Sequence, residues 1–126
     1  MPVKLFENYT EVLSEYERAV ILPAVCRILR GHVGAKNAIR NKAICAEVEA
    51  MGYERVGEPR MRKIINRIRC ADGVLVPFLV ANSKGYYIAT TREEVELYAA
   101  SLFDRASAIF EVRACLLDQL TGKLFL

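Results

Sequence analysis

The amino-acid sequence predicts a mostly helical protein with one small β-hairpin. Apolar residues recur at helical spacing in several segments, and Met61, Ile64, Ile65 and Ile68 form the clearest such row. Two runs of β-branched and aromatic residues flank a turn cluster at residues 82–85, which is typical of a hairpin. The 126 residues are 53% hydrophobic, which is enough for one buried core.

Two helices are predicted before residue 31. N-capping patterns, in which a side-chain oxygen accepts a backbone N–H, occur at Asn8 with Glu11 and at Ser14 with Glu17. The first helix is therefore predicted over residues 9–21. Pro23 has no backbone N–H, so it either kinks this helix or opens a second one that ends at residue 30.

The middle of the chain contains the elements that define the architecture. They are a short strand, two helices and the two strands of the hairpin, predicted over residues 37–40, 42–51, 59–70, 74–81 and 86–89. Asn41 is expected to cap the first of these helices, and Pro59 to open the second. Together with the helix that ends at residue 30, these elements give three helices followed by a two-stranded wing. This is the order of a winged helix-turn-helix domain.

A capping box at residues 91–94 starts the longest helical pattern, which runs to about residue 117. We therefore predict an N-terminal helix (1–22), a winged-helix domain (23–90) and a C-terminal helix (91–126). The apolar residues of the last helix cover more than one narrow stripe, so we expect a homodimer through it. The alternative is that the N-terminal helix alone covers this surface.

Positive charge is concentrated in the middle of the chain. Residues 27–84 hold twelve basic and five acidic groups, net +7, whereas residues 1–26 and 85–126 each carry a net charge of −2. A localised basic surface is what a polyanionic partner selects. The alternative is a merely solvated face.

The helix predicted over residues 59–70 separates its apolar row from a cationic face. On a helical wheel Lys63 and Asn66 lie opposite Met61, and arginines occupy both edges. Arginine bonds two acceptors of guanine and an amide does the same for adenine. We expect groove contacts from Arg62, Lys63, Asn66 and Arg67, and DNA-backbone contacts from Arg60 and Arg69. Alternatively, the arginines are solvated or paired with Glu54 and Glu58.

Three further cations are placed where DNA phosphates would lie. Lys84 is at the tip of the predicted wing, and Arg40 and Lys42 stand at the start of the preceding helix. The N–H groups at such a helix start often bind a backbone phosphate.

Two segments resemble a group of small winged-helix proteins from bacteriophages and other mobile elements. They are the run LRGHVG (29–34) followed by Asn37-Ala38-Ile39, and the run SKGYYIATT (83–91) with Glu93-Glu94. The Lys-Gly-Tyr wing is also similar to that of biotin operon repressors. The resemblance covers about residues 28–109 and implies DNA binding in regulation or replication of a mobile element.

The chain departs from this pattern in two places. The turn before the basic helix, residues 52–58, is longer than the usual three or four residues. The first wing strand, residues 76–80, is more apolar than expected beside DNA, and we expect it to pack against another element or subunit.

The sequence shows no enzyme signature, cofactor motif, transmembrane segment or secretory signal. The four cysteines are widely spaced, which favours a reduced, cytoplasmic protein. A zinc site that combines them with His32, the only histidine, is a less favoured alternative.

The sequence leaves other functions open beside duplex DNA binding. One is a non-catalytic protein-interaction module on a winged-helix scaffold. Another is a small-molecule sensor, which requires an apolar pocket.

Overall fold

The structure is a computed structural model that describes residues 12–71 and 73–122. It is mostly helical with a small antiparallel hairpin, as predicted. We number the elements α1 Leu22–Arg30, α2 Asn41–Ala50, α3 Glu58–Arg69, β1 Leu79–Asn82, β2 Gly85–Ile88 and α4 Arg92–Thr121. The chain divides between Thr91 and Arg92 into two compact units, which are described separately below.

The first described helical turns start at the second of the two predicted capping patterns. The helix predicted over residues 9–21 is therefore wrong at residues 12–14, which are not helical. The backbone N–H of Ser14 donates to Glu17 Oε1 at 2.8 Å, and the N–H of Glu17 donates to Ser14 Oγ at 3.0 Å. A π-helical turn, Glu17–Ile21, then leads directly into α1, whose first turn contains Pro23. Pro23 has no N–H with which to continue the helical hydrogen-bond ladder at this point. The other capping pattern, Asn8 with Glu11, lies outside the described residues.

The core of the first unit lies between α1, α2 and α3, which contact one another pairwise. The predicted row of α3 is confirmed as the centre of this core: Met61, Ile64 and Ile65 are fully buried and Ile68 is 2% exposed. Side chains of the other two helices that are also fully buried are Ala24, Val25, Leu29, Ile44 and Val48. The rotation of α3 about its axis is therefore fixed by apolar burial.

The prediction that Asn41 caps α2 is wrong. Arg40 is the N-cap residue, with an extended backbone, and no side chain caps this helix. Asn41 is already helical, and its Nδ2 donates to the backbone carbonyl of Glu58 at 3.1 Å. The start of α2 is thereby joined to the start of α3.

The hairpin is shorter than the sequence predicted. Strands β1 and β2 pair from Leu79 with Ile88 to Asn82 with Gly85, so that Ser83 and Lys84 form the turn. The predicted first strand over 74–81 fails in its first half. Pro77 cannot donate a ladder hydrogen bond, and Phe78 has a left-handed backbone with φ of 50°.

The outer edge of β2 is covered by the segment between α1 and α2. Ile39 and Tyr86 exchange two backbone hydrogen bonds of 2.8 Å, and the N–H of Ile88 donates to the carbonyl of His32 at 2.8 Å. The strand predicted over 37–40 is only partly formed: Ala35–Asn37 is a 3-10 turn and Ile39 makes a single bridge.

The second unit contains a single described element, the 30-residue helix α4. It extends four residues beyond the predicted end, and none of its residues is buried.

Replacement of Gly85 by alanine is expected to separate β2 from the segment before α2. The added Cβ would lie 2.2 Å from the backbone oxygen of Ile39, and φ is +128°. We expect Gly85→Ala to lower the free energy of unfolding by about 2 kcal/mol, measured by urea denaturation. In the control Gly73→Ala the Cβ meets open space, so its effect should stay within about 0.5 kcal/mol. Equal effects of the two changes would contradict the packing described here.

Candidate nucleic-acid interface

The face of α3 opposite its buried row is exposed and cationic. Arg62, Asn66 and Arg67 are exposed, and Lys63 is half-buried. The side chains of Arg62 and Asn66 make no hydrogen bond or ion pair among residues 12–71 and 73–122. Of the alternative interpretation, in which the arginines are solvated or paired with Glu54 and Glu58, the pairing is not observed for Arg62. The structure thus brings four of the six predicted α3 residues to one outward face.

Arg60 is held inside the unit and does not join this face. Its guanidinium binds Glu17 through two hydrogen bonds, from Nε at 2.9 Å and from Nη2 at 2.6 Å. Nη2 also donates to the carbonyl of Val12 at 3.2 Å. The two charged side chains are only 14% and 15% exposed. The expectation that Arg60 contacts the DNA backbone is therefore corrected: it anchors the segment before α1 to the start of α3.

Arg69 is also held inside the unit. Its Nε donates to the carbonyl of Leu79 at 3.0 Å, and its guanidinium lies 5.2 Å from the centre of the Tyr86 ring. This is a cation–π distance. Arg69 therefore joins the end of α3 to the hairpin, and the expectation of a DNA-backbone contact is corrected for this residue too.

The long turn between α2 and α3 is fixed by its own contacts. Gly52 ends α2 with φ of +91°. Val56 is buried, and the N–H of Glu54 donates to the hydroxyl of Tyr16 at 3.2 Å. The turn keeps the length predicted from the sequence but is packed against the segment before α1.

The start of α2 and the hairpin turn border an open cleft of about 450 Å³. Arg40 and Lys42 line it at the start of α2, and Asn82 and Ser83 line it from the end of β1 and the turn. The first N–H groups of α2 lack acceptors within the helix and form the positive end of its dipole. One carboxylate, that of Glu58, lies on the same wall.

The turn itself carries the predicted cation Lys84. This residue is exposed, and its N–H donates to Asn82 Oδ1 at 2.8 Å. Sequence analysis missed Asn82 and Ser83 as cleft residues, because the pattern that identified them predicted only a turn.

The cysteines and His32 are not gathered into one site. Cys26 is buried, and burial raises its pKa above 9.0 against the opposing charges of Arg30 and Arg27. The Nδ1–H of His32 donates to the carbonyl of Asn37 at 2.7 Å. Within the described ranges, no group of three or more His, Cys, Asp or Glu residues is arranged to hold a metal ion.

No helix in the part of the chain that the structure describes has the length and apolar character to span a membrane. Comparison of the chain with protein-family models, curated proteins and solved structures finds no match.

The ion pair between Arg60 and Glu17 allows a test of how α3 is attached to the segment before α1. Burial raises the pKa of Glu17, but hydrogen bonds from Arg60 and Ser14 and the charge of Arg60 outweigh it, so the pKa lies below 4.5. We expect Glu17→Gln to lower the free energy of unfolding by about 1–2 kcal/mol at pH 7, measured in urea. Glutamine retains the capping ability, so the charge is what is lost.

The pH dependence of this effect has a defined sign. The lowered pKa of Glu17 means that its contribution is complete well above pH 4.5 and is lost as the pH falls below that value. The stability difference between wild type and Glu17→Gln should therefore shrink in acid. The neighbouring change Glu15→Gln, at an exposed position, is the control. An equal loss in both variants would contradict the anchoring role.

Proposed function

We propose that the first unit is a winged helix-turn-helix domain that binds duplex DNA and has no catalytic role. The order of the elements supports this fold. Helix α1 is followed by the segment between α1 and α2 (the bridging segment, residues 31–40), then by α2, α3 and the hairpin. The bridging segment contributes backbone hydrogen bonds to the edge of β2, as the first strand of such a domain does. The resemblance to small winged-helix proteins of phages and mobile elements belongs to this proposal, and with it a cytoplasmic role in regulation or replication.

Helix α3 has one buried apolar side and one exposed cationic side, and this is the observation that supports the DNA proposal. The side chains of its apolar row are at most 2% exposed. Arg62, Asn66 and Arg67 therefore project from the opposite side of the helix, away from the core. A helix that is anchored on one side and cationic on the other fits the major groove. Arg62 and Arg67 would bind guanine or phosphate, Asn66 would bind adenine, and Lys63 would neutralise a phosphate.

The cleft beside α2 would receive the sugar–phosphate backbone. Arg40 and Lys42 supply positive charge there, together with the N-terminus of α2. Lys84 on the turn would meet the backbone or the minor groove on the other side of the hairpin. These contacts carry no base preference, and they fix the position of α3 on the duplex.

The homodimer expected from the sequence is part of the same proposal. A second copy joined through α4 would present a second α3 to the DNA, and DNA sites with two-fold symmetry match such dimers.

One observation favours a different partner for the first unit. Val74 and Phe78, next to the hairpin, are 81% and 66% exposed. Exposed apolar side chains of this size favour the alternative function, a non-catalytic protein-interaction module. In that case the cationic face of α3 would have no role in binding.

DNA binding is tested on a random duplex over a range of salt concentrations, with fluorescence anisotropy as the readout. For the double variant Arg62→Ala/Arg67→Ala we expect affinity at low salt to fall by at least about tenfold. The slope of log affinity against log salt should also fall by up to about two units, because each lost phosphate contact removes about 0.9.

The matched control is Arg18→Ala/Arg27→Ala, which removes the same charge from two exposed positions before and within α1. It should leave the affinity within about twofold of wild type, apart from the general effect of net charge. Equal affinities of wild type and the α3 double variant would exclude this face as the DNA site.

A further inference from the structure

Helix α4 carries an apolar face that is exposed within its own unit. The helix is 30 residues long, or about 45 Å. Nine of its large apolar side chains are between 44% and 72% exposed. Six of them form two parallel columns with a spacing of seven residues: Leu102, Ile109 and Leu116 in one, and Phe103, Phe110 and Leu117 in the other.

The space between the two columns is occupied by smaller residues and one cation. Ala99, Ala106 and Arg113 form this central column, again seven residues apart. The opposite side of the helix carries Asp104, Glu111 and Asp118. The helix is thus apolar over roughly 140° of its circumference and acidic on the far side.

We propose that α4 packs against α4 of a second copy in antiparallel orientation, with the two Ala106 residues opposite each other. This arrangement rests on the proposed homodimer and is independent of DNA binding. Complete burial of one leucine, isoleucine or phenylalanine removes about 100 Å² from water. The two columns and Leu120 would then bury on the order of 700 Å² per copy, close to the ~800 Å² of a stable interface.

Arg113 decides the orientation. In a parallel pair in register, the two Arg113 side chains would face each other in the centre of the apolar face. Like charges at short range in such a place repel strongly. In the antiparallel pair each Arg113 lies beside Ala99 of the other copy, where its long stem covers apolar surface and its head group reaches water. The helix dipoles also favour antiparallel neighbours.

The antiparallel arrangement also brings matching columns together. A two-fold axis perpendicular to the helices sets each column against the same column of the other copy. Phe110 then contacts the partner's Phe103, and Leu102 contacts the partner's Ile109. Aromatic pairs of this kind add to the stability of an interface beyond their buried area.

Self-association is measured first, by analytical ultracentrifugation of the full chain. Wild type should be a dimer at micromolar concentration. Phe110→Glu, in the middle of one of the two apolar columns, should raise the dimer dissociation constant at least about tenfold. The matched control is Leu97→Glu, since Leu97 is also highly exposed, at 63% against 67% for Phe110, but lies on the acidic side. A monomeric wild type, or equal weakening by both changes, overturns the pairing.

Orientation is measured by oxidative cross-linking in a Cys70→Ser/Cys115→Ser background. Ala106→Cys should form a disulfide-linked dimer, because the two positions are opposite each other. Ala99→Cys should not, since the antiparallel pair separates the two copies of this residue by about 21 Å along the axis. Cross-linking of both variants would indicate a parallel pair, and cross-linking of neither would exclude a pair centred on Ala106. Neither result depends on DNA binding.

Discussion

Burial of one row of apolar side chains on α3 determines what the first unit presents to a partner. Met61, Ile64, Ile65 and Ile68 are almost completely removed from solvent, and each such burial contributes about 1.5–3 kcal/mol. An exposed ion pair contributes about 0–1 kcal/mol. Apolar packing therefore sets the rotation of the helix, and the charged residues project wherever that rotation places them. The backbone positions from which the cationic side chains project are therefore fixed by the fold itself, and a preformed helix face reduces the entropic cost of binding a partner.

The arginines of α3 divide into two groups according to what lies near each end of the helix. Arg60 meets Glu17 near the start of α3, and Arg69 meets the hairpin near its end. Arg62 and Arg67 lie between these contacts and stay on the outer face. Two arginines thus position the helix between its neighbours, and two are exposed on its outer face. The long turn before α3 does not loosen this arrangement, because the segment that carries Glu17 also holds the turn through Tyr16.

The sequence predicted those features that depend on local patterns. The helical row of α3, the Ser14–Glu17 cap and the turn at residues 82–85 each follow from spacing within one segment. Most of the wrong predictions concern side chains whose contacts are with residues distant in the sequence. Glu17 lies 43 positions from Arg60, so periodicity in α3 gave no sign of the pair. Asn41 bonds a carbonyl of another helix instead of capping its own. The first strand was overextended because the left-handed backbone of Phe78 interrupts an otherwise suitable apolar run.

In the proposed function, the outer face of α3, the start of α2 and the hairpin turn form one DNA-binding surface. It is tested most directly by NMR titration of the 15N-labelled chain with a short duplex at low salt. Such a surface predicts amide shifts concentrated at residues 62–67, 40–43 and 83–85, with α1 unchanged. An absence of shifts at saturating DNA, or shifts confined to residues outside these three segments, would contradict it.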